Sequence, residues 1–299
     1  MAKIIECVPN VSEGRDKKII QQLINVVKQS PGVNLADYSS DPDHNRTVLT
    51  MFGAPDDIVN MIVDLAVKAV KIIDLTKQSG EHPRMGAIDV IPFIPVREMT
   101  MDEVVIISKK AAERIWIEAG LPIFLYEYSA TSPHRRNLAD IRRGQFEKMA
   151  EKVLQDGWEP DYGGCTIHPT AGVTAVGARK PLIAFNINLS TSDVTIANKI
   201  AKIIRYSNGG FEGVKAIGIL LKSKNTAQVS INMTDLDKTP LYKVVEKVKE
   251  EATCYGVAIV DTEIIGLSPK QAIIDCAEYY LKLSGFDSIK QIIENHIVS

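Results

Sequence analysis

The segment from Ser79 to Gly86, SGEHPRMG, contains residue types that suit proton transfer. His82 titrates near neutral pH and therefore suits general acid–base work, with Glu81 available to orient its imidazole ring. Pro83 biases the residue before it towards an extended backbone and stiffens the loop. Arg84 presents a planar guanidinium that fits a carboxylate. The alternative is structural: a loop histidine that caps a turn, beside an arginine in a surface ion pair.

A second polar segment, DPDHNR from Asp41 to Arg46, begins like a calcium-binding loop. The likeness ends where such a loop needs a glycine and a terminal glutamate, because Arg46 and Phe52 occupy those positions. The sequence therefore argues against calcium. Two interpretations stay open: a turn built from Asx residues, or a strand end at which Asn45 and Arg46 face a ligand.

A glycine-rich stretch runs from Asp161 to Gly172 and reads DYGGCTIHPTAG. Glycine lets a backbone approach a ligand closely, so this stretch suits main-chain hydrogen bonds to a planar ring. The plain alternative is a linker between domains. Shortly after it, Arg179 and Lys180 place two cations at the junction of the two halves of the chain. These cations suit either a carboxylate-rich ligand or a solvated surface.

The elements that position these segments alternate between strands and helices. Hydrophobic periodicity in the first half predicts strands at 3–9, 33–39, 46–53, 87–96 and 121–126, and helices at 16–29, 54–76, 101–120 and near 137–155. Pro92 and Pro95 suggest that the 87–96 strand lies at a sheet edge or ends irregularly. The first six elements follow the split βαβ order of ferredoxin-like units.

The second half repeats this order without repeating the sequence. It predicts strands at 181–187, 214–221, 227–232 and 257–261, and helices at 192–206, 239–255, near 268 and near 288. We therefore predict an α/β (α+β) fold of two ferredoxin-like split βαβ subdomains, residues 1–178 and 179–299. Because helices cover only one face of such a sheet, the two bare faces are expected to pack together between outer helix layers. A ligand groove is expected between the halves.

Bulk properties narrow the possible functions. The chain has 299 residues and a formal net charge of -2, and 24% of its residues are charged, as in ordinary globular proteins. A nucleic-acid-binding protein usually has a basic excess, which this chain lacks, so no nucleic-acid partner is expected. The short basic pairs Arg135-Arg136 and Arg142-Arg143 are interpreted as solvated helix faces.

Cysteine and histidine spacing gives no sign of a metal. The four cysteines include no C-x-x-C pair, which predicts a reduced cytoplasmic protein without a zinc site. His44, His82 and His168 lie in the candidate loops but lack metal-ligand spacing, so no metal is expected. No apolar run is long enough for a signal peptide or a membrane span, so no membrane partner is expected.

Several of these segments together resemble the glutamate formiminotransferase family. The resemblance covers essentially the whole chain, and its most specific segments are EHPRMG and AFNINL. It is carried by ECVPNVSEGRD at 6–16, NRTV at 45–48, GEHPRMGAIDVIPFIPVRE at 80–98, ARKPLIAFNINL at 178–189, AQVSINMTD at 227–235 and IIGLSP at 264–269.

The resemblance implies a fold of two α/β subdomains with facing sheets. It also implies a reaction in which N-formimino-L-glutamate gives its formimino group to tetrahydrofolate, as co-substrate, during histidine breakdown. The family's catalytic histidine falls on His82. Its folate-binding loop falls on Gly163, Gly164, Cys165, Thr166, Ile167, His168, Pro169, Thr170, Ala171 and Gly172.

The sequence departs from the animal enzymes of this family in three respects. It resembles the monofunctional form, without the fused cyclodeaminase domain. Its folate loop, CTIHPTAG, is less aromatic than the animal form. An acidic residue near Ser39 to His44 in animal enzymes has no counterpart at the same position, and Asp41 or Asp43 is the candidate to replace it.

Other readings stay open on the sequence alone. A formyltransferase on the same scaffold would move a formyl group between glutamate and folate, and a folate-binding protein would bind without turnover. A pair of RNA-binding ferredoxin-like units is disfavoured by the acidic pI, near 6.2, and by the lack of an aromatic RNP1-type strand. A homodimer is the expected assembly from base rates.

Replacing His82 with Ala is the direct test of the proton-transfer assignment. Turnover is expected to fall, because the group that accepts and returns the proton is removed, while stability changes little at a loop position. Steady-state turnover and urea unfolding of the variant and the parent protein check both parts. Unchanged turnover in His82→Ala would rule out the assignment.

Overall fold

The computed structural model describes residues 2–42, 44–80, 83–221 and 224–296. Residues 1–179 and 180–299 form two compact units, each with its own sheet and helices. The predicted mixed α/β class is therefore confirmed. The predicted packing of the two sheets against each other, and the groove between the halves, stay predictions.

The first unit contains a seven-stranded sheet. Its strands are Ile4–Cys7 (β1), Asn10–Val11 (β2), Val33–Asp41 (β3), Arg46–Gly53 (β4), Ile88–Arg97 (β5), Ile123–Leu125 (β6) and Thr174–Ala178 (β7). Its helices are Lys17–Gln29 (α1), Pro55–Ile72 (α2), Met101–Ala119 (α3), Leu138–Arg142 (α4) and Gln145–Lys152 (α5).

The strand order confirms the split βαβ arrangement. β1 and β2 both lie between β4 and β5, and β3 pairs with the other side of β4, all antiparallel. Beyond β5, two further strands extend the sheet in parallel, first β7 and then β6. The result is a ferredoxin-like sheet with a two-stranded extension at one edge.

The second unit is a smaller ferredoxin-like fold. Its four strands are antiparallel in the order β11-β8-β10-β9. The strands are Ile183–Leu189 (β8), Val214–Leu221 (β9), Thr226–Met233 (β10) and Ile259–Ile265 (β11), and the helices are Val194–Ile204 (α6), Leu241–Cys254 (α7), Lys270–Leu281 (α8) and Ser288–Gln291 (α9).

Helices cover more of the first sheet than the sequence predicted. One face packs against α1, α2 and α3 through the largest apolar cluster, which includes Leu23, Ile62 and Ile115. On the other face, Val90 and Phe124 belong to a separate cluster with residues of α4 and α5. The expectation that this face is bare is therefore wrong at the β5-β7-β6 end. The reason is the long β6–β7 connection, which supplies two helices of its own.

Of the two alternatives predicted for the 87–96 strand, the edge position is wrong and the irregular end is confirmed. Pro92 pairs with Gly177 of β7 on one side, and its carbonyl accepts the Val8 N–H (3.2 Å) on the other. β7 reaches only as far as Phe93, so Pro95 lies where its missing N–H is not needed for that pairing. An irregularity does occur at this end, where the β1–β5 register shifts between Ile4 and Ile5.

A bulge in β5 re-aims one charged side chain. Val11 of β2 pairs with Ile88 and Asn10 pairs with Val90, so Asp89 is an extra residue between them. Such a bulge changes which side of a strand a residue faces. Asp89 consequently lies fully buried in the first unit.

The central strand β5 should dominate the stability of the first unit. Phe93 is fully buried in its main cluster, so Phe93→Ala is expected to lower the free energy of unfolding by about 3–5 kcal/mol. Ile117→Ala on the exposed side of α3 is the control, where the change should stay within about 0.5 kcal/mol. Urea unfolding followed by Trp fluorescence reports on this unit, because both tryptophans, Trp116 and Trp158, belong to it. Equal losses in the two variants would contradict this assignment of the core.

Candidate active site

A backbone seam joins the two candidate loops of the first unit. The Val173 N–H donates to the Met85 carbonyl (3.0 Å), and the Ala87 N–H donates to the Ala171 carbonyl (2.9 Å). Gly86 and Gly172 face each other in an isolated bridge between these bonds. The seam therefore brings the end of the SGEHPRMG segment against the end of the glycine-rich loop. His82 and Glu81 lie outside the described residues.

Both glycines of the seam are required by close backbone approach. A Cβ on Gly86 would lie 2.0 Å from the Val173 carbonyl oxygen. Gly172 has φ of +68°, and a Cβ there would lie 2.1 Å from the Met85 carbonyl oxygen. Any larger residue would separate the loops, because a carbonyl oxygen cannot give way as a flexible side chain can.

Arg84 attaches the segment Ser79 to Gly86, called the histidine loop from here on, to the surrounding chain. Its Nη2 donates to the Gln78 carbonyl (2.6 Å) and to Glu147 Oε1 (2.9 Å), and only 8% of the residue is exposed. The Arg84 carbonyl accepts the Phe146 N–H (2.8 Å). Gln78 in turn donates to Glu13 Oε2 (2.6 Å). Arg84 thus donates to oxygens of residues that precede and follow residues 81–82 in the sequence.

Asn45 links the β3–β4 hairpin to the same loop. Its φ of 51° is left-handed, and its side chain accepts the Gly14 N–H (2.9 Å) and donates to the Ser79 carbonyl (3.2 Å). A Cβ on Gly80 would lie 2.4 Å from the His44 carbonyl oxygen, which shows how closely the two segments pass. The described contacts of Asn45 are therefore structural.

The Asp41 turn matches the Asx interpretation of its sequence. Asp41 Oδ1 accepts the His44 N–H (2.8 Å), and Asp41 Oδ2 lies 3.4 Å from His44 Nδ1. Both side chains are about half exposed. Asp43, the other acidic candidate, lies outside the described residues.

Asp89 gathers two arginines from distant parts of the chain. Its Oδ2 lies 3.0 Å from Arg46 Nη1 and 2.6 Å from Arg142 Nη2, and its Oδ1 accepts the Met85 N–H (3.0 Å). Arg46 Nε donates to Asn10 Oδ1 (2.9 Å). Burial lowers the pKa of Arg46 to about 10; Asp89 opposes this shift, and the nearby Arg142 charge adds to it.

Sequence reasoning missed Arg142 and misjudged Arg135. Arg142 exposes 15% of its side chain, and Arg135 is 8% exposed and lies 3.3 Å from Asp161. The solvated-face interpretation is wrong for both. One available signal was Asp89 itself, because a carboxylate inside the apolar run AIDVIPFIP requires a buried cation.

Lys152 fixes the short helix that carries Arg142. Its Nζ donates to the carbonyls of Ile141 (2.8 Å) and Arg143 (3.3 Å), and also to that of Asp140. An ammonium at a helix C-terminus satisfies carbonyls that have no partner within the helix. The position of Arg142 is thus set by its helix as well as by Asp89.

The glycine-rich loop has an anchored base and an exposed tip. Gly163 and Gly164 have φ values of +110° and +65°, and the following Cys165 and Thr166 are exposed. At the base, the Thr170 carbonyl accepts the Leu75 N–H (2.8 Å). Ile167 packs against the α4–α5 cluster, and Pro169 is exposed. The tip therefore presents backbone groups and small side chains from a fixed base.

His168 organises the end of this loop as a hydrogen-bond acceptor. Its Nδ1 accepts the Ala171 N–H (3.0 Å) and the Thr170 N–H (3.3 Å). A ring nitrogen can accept only when it carries no proton, so the neutral tautomer has its proton on Nε2. Burial lowers the pKa of His168, in agreement with this tautomer.

The two cations at the junction have different surroundings. The Arg179 N–H donates to the Phe93 carbonyl (3.0 Å), and its charge acts on Glu6, whose pKa burial raises while Arg179 opposes that rise. Lys180 belongs to the second unit and lies 3.0 Å from both Asp235 and Asp237. These hydrogen bonds raise the pKa of Lys180.

Neither a cluster of metal ligands nor a membrane-spanning helix occurs among the described residues. Among the described His, Cys, Asp and Glu side chains, no group of three converges as a metal site would require. In the same part of the chain, no helix is both long and apolar enough to cross a bilayer.

Protonation of His168 should destabilise the first unit. Its folded pKa lies below the unfolded value of about 6.5, so the unfolded chain binds the proton more readily. The stabilisation is complete above pH ~6.5 and is lost as the pH falls through the folded pKa. His168→Asn keeps an acceptor near the Nδ1 position but does not titrate. We expect its free energy of unfolding to fall less than that of the parent between about pH 7.5 and about pH 5, measured by urea unfolding and Trp fluorescence. Identical pH dependence in both proteins would contradict the assignment.

Comparison with known proteins identifies the family. The formiminotransferase domain, N-terminal subdomain, matches residues 4–179, and the formiminotransferase domain matches residues 184–298. A glutamate formimidoyltransferase of Streptococcus pyogenes serotype M1 is 55% identical over 298 residues, covering 100% of both chains. One from Thermoplasma acidophilum is 42% identical, covering 95% of this chain and 94% of that one. A formimidoyltransferase-cyclodeaminase of Dictyostelium discoideum is 41% identical, covering 94% of this chain but 53% of its own length. The chain that carries this site belongs to the formiminotransferase family.

Proposed function

We propose that this protein transfers the formimino group of N-formimino-L-glutamate to tetrahydrofolate, giving 5-formiminotetrahydrofolate and L-glutamate in histidine degradation. The observation that carries the proposal is similarity over the full length to a protein named glutamate formimidoyltransferase. The cofactor requirement is tetrahydrofolate as co-substrate. The partners are small molecules, and a cytoplasmic homodimer stays a prediction.

The proposed reaction forms one C–N bond and breaks another. N5 of tetrahydrofolate attacks the amidine carbon of the donor, and His82 takes the N5 proton as the tetrahedral intermediate forms. The C–N bond to glutamate then breaks, and the same imidazolium returns its proton to the departing glutamate nitrogen. One proton moves from N5 to glutamate, so the histidine ends in its starting state.

Much of the rate enhancement would come from holding two substrates together. Well-oriented reactants reach effective molarities of ~10⁵ M or more. In this proposal the exposed tip of Gly163 to Gly172 binds the tetrahydrofolate ring, with Cys165, Thr166 and Ile167 at or beside it. The seam between this loop and Met85–Ala87 supports the arrangement, because it fixes the folate loop beside the segment that carries His82.

The polar groups around His82 have distinct proposed roles. Glu81 or Asp41 orients the imidazole, and Asn45 keeps the hairpin against the loop. Arg84 is a candidate for carboxylate binding, and its described contacts also give it the task of fixing the loop. Arg46, Arg179 and Lys180 complete the carboxylate candidates. Of these, Lys180 already has two aspartates as partners, which weakens its case.

A coupled assay tests the reaction itself. Tetrahydrofolate and formiminoglutamate are supplied together, and both 5-formiminotetrahydrofolate and glutamate are measured, with formylglutamate as a parallel donor. Equal amounts of the two products from the formimino donor are expected. Turnover with the formyl donor alone would keep the site and replace the substrate. Folate binding without turnover of either donor would overturn the catalytic proposal.

A further inference from the structure

We propose that Arg142, paired with Arg46 across Asp89, binds a glutamyl carboxylate of the substrates. The inference rests on the proposed function, because both substrates of that reaction contain glutamyl carboxylates. It assigns a binding role to a residue that neither the sequence pattern nor the family resemblance singled out.

Two arginines share the carboxylate of Asp89. A guanidinium has five N–H donors, and two guanidinium groups meet at Asp89. Both arginines reach the same oxygen, Oδ2, while Oδ1 accepts the Met85 N–H. One carboxylate therefore holds the two groups side by side and leaves donors of Arg142 for another acceptor.

Arg142 makes few polar contacts with the described part of the chain. Within the described residues, Asp89 is its ion-pair partner, and its buried Nε has no hydrogen-bond partner. Its side chain still exposes 15% of its area, so the group is not sealed inside the protein. Arg84 and Arg135 also have a buried Nε without a hydrogen-bond partner, so Arg142 differs from them in its terminal nitrogens, for which Asp89 is the acceptor among the described residues.

Arg135 shows what a purely structural arginine looks like in the same connection. Its Nη1 donates to the Glu159 carbonyl (2.7 Å) and its Nη2 to Thr131 Oγ1 (2.7 Å), in addition to the Asp161 pair. Each terminal nitrogen thus has a protein acceptor. Arg142 lies seven residues further along the chain and has a similarly buried aspartate, but it lacks such acceptors among the described residues.

The charge and the planar shape of the two guanidinium groups suit a carboxylate ligand. Burial is the main cause that lowers the pKa of Arg46; Asp89 opposes this shift, and repulsion from the Arg142 guanidinium adds to it. An added anion relieves this repulsion, and a carboxylate matches the planar guanidinium fork with two parallel hydrogen bonds. The carboxylate comes either from the formimino donor or from the glutamyl tail of the folate.

The experiment compares the loss of a protein charge with the loss of a ligand charge. KM and kcat of the parent protein and of Arg142→Gln are measured with formiminoglutamate and with analogues in which the α- or the γ-carboxylate is a primary amide. Tetrahydropteroate, which lacks the glutamyl tail, replaces tetrahydrofolate in a second series. In the parent, removing the recognised carboxylate should raise the KM of that substrate by about ten- to a hundredfold.

In Arg142→Gln the KM for the intact substrate should rise by a similar factor, and the penalty for removing that carboxylate should disappear. If the penalty disappears in the formiminoglutamate series, Arg142 binds a carboxylate of formiminoglutamate. If it disappears in the folate series, Arg142 binds the glutamyl tail of tetrahydrofolate. If Arg142→Gln keeps every penalty of the parent protein, the inference is wrong. An altered fold would change stability and kcat without abolishing the discrimination of one carboxylate.

Two controls keep the result interpretable. Arg135→Gln removes a comparable buried ion pair and should lower stability without changing the carboxylate penalties. If Arg142→Gln does not fold, Arg142→Lys keeps the charge and loses the fork, and a reduced penalty is then expected. Calorimetric titration with the product L-glutamate and, separately, with tetrahydrofolate tests carboxylate binding by Arg142 without turnover. Weaker binding of either by the Arg142 variant supports the inference even if the proposed reaction fails, and unchanged binding of both overturns it.

Discussion

The buried carboxylate of Asp89 is the constraint on which the first unit's site depends. Its Oδ2 reaches Arg46 from β4 and Arg142 from α4, and its Oδ1 accepts the Met85 N–H. Met85 in turn accepts the Val173 N–H at the seam between the two loops. A single charged group thus connects both arginines, the histidine loop and the glycine-rich loop. Removing one partner of a buried ion pair typically costs roughly 3–5 kcal/mol, so the network is costly to break.

The bulge in β5 explains how a carboxylate can occupy this position. In a regular strand, residues alternate between faces, so Ile88 and Val90 would face one side of the sheet and Asp89 the other. Opposite Asn10 and Val11 of β2, however, β5 contains one extra residue, Asp89. Val90 then joins the α4–α5 cluster while Ile88 stays in the main core. The bulge lets Ile88 and Val90 pack in two apolar clusters while Asp89 pairs with the arginines, so the site lies inside a well-packed sheet without a break in the core.

Sequence reasoning predicted what local interactions determine. β4 and β9 have the predicted bounds, and α1 begins where Asp16 caps it, because apolar periodicity and capping are properties of short segments. The helix predicted to Thr76 ends at Ile72 because the chain there enters a short turn whose Leu75 N–H bonds to Thr170, nearly a hundred residues away. The seam and the role of Arg142 were missed for the same reason: each joins segments whose separation in sequence carries no periodic signal.

Contacts with protein acceptors distinguish four largely buried arginines of this unit: Arg46, Arg84, Arg135 and Arg142. Arg84 through Nη2, and Arg135 through both terminal nitrogens, donate to carbonyl, hydroxyl or carboxylate oxygens of the chain, and so they fix loops. Arg46 and Arg142 both reach Oδ2 of Asp89, and among the described residues the terminal nitrogens of Arg142 have no second acceptor. Asp89 compensates one of the two positive charges, so the pair keeps a net positive charge that a further anion can compensate. The free energy cost of bringing the two arginines together then arises during folding, and the packing of the sheet offsets it. Carboxylate binding then needs little rearrangement of either side chain, which favours a receptor over a simple structural clamp.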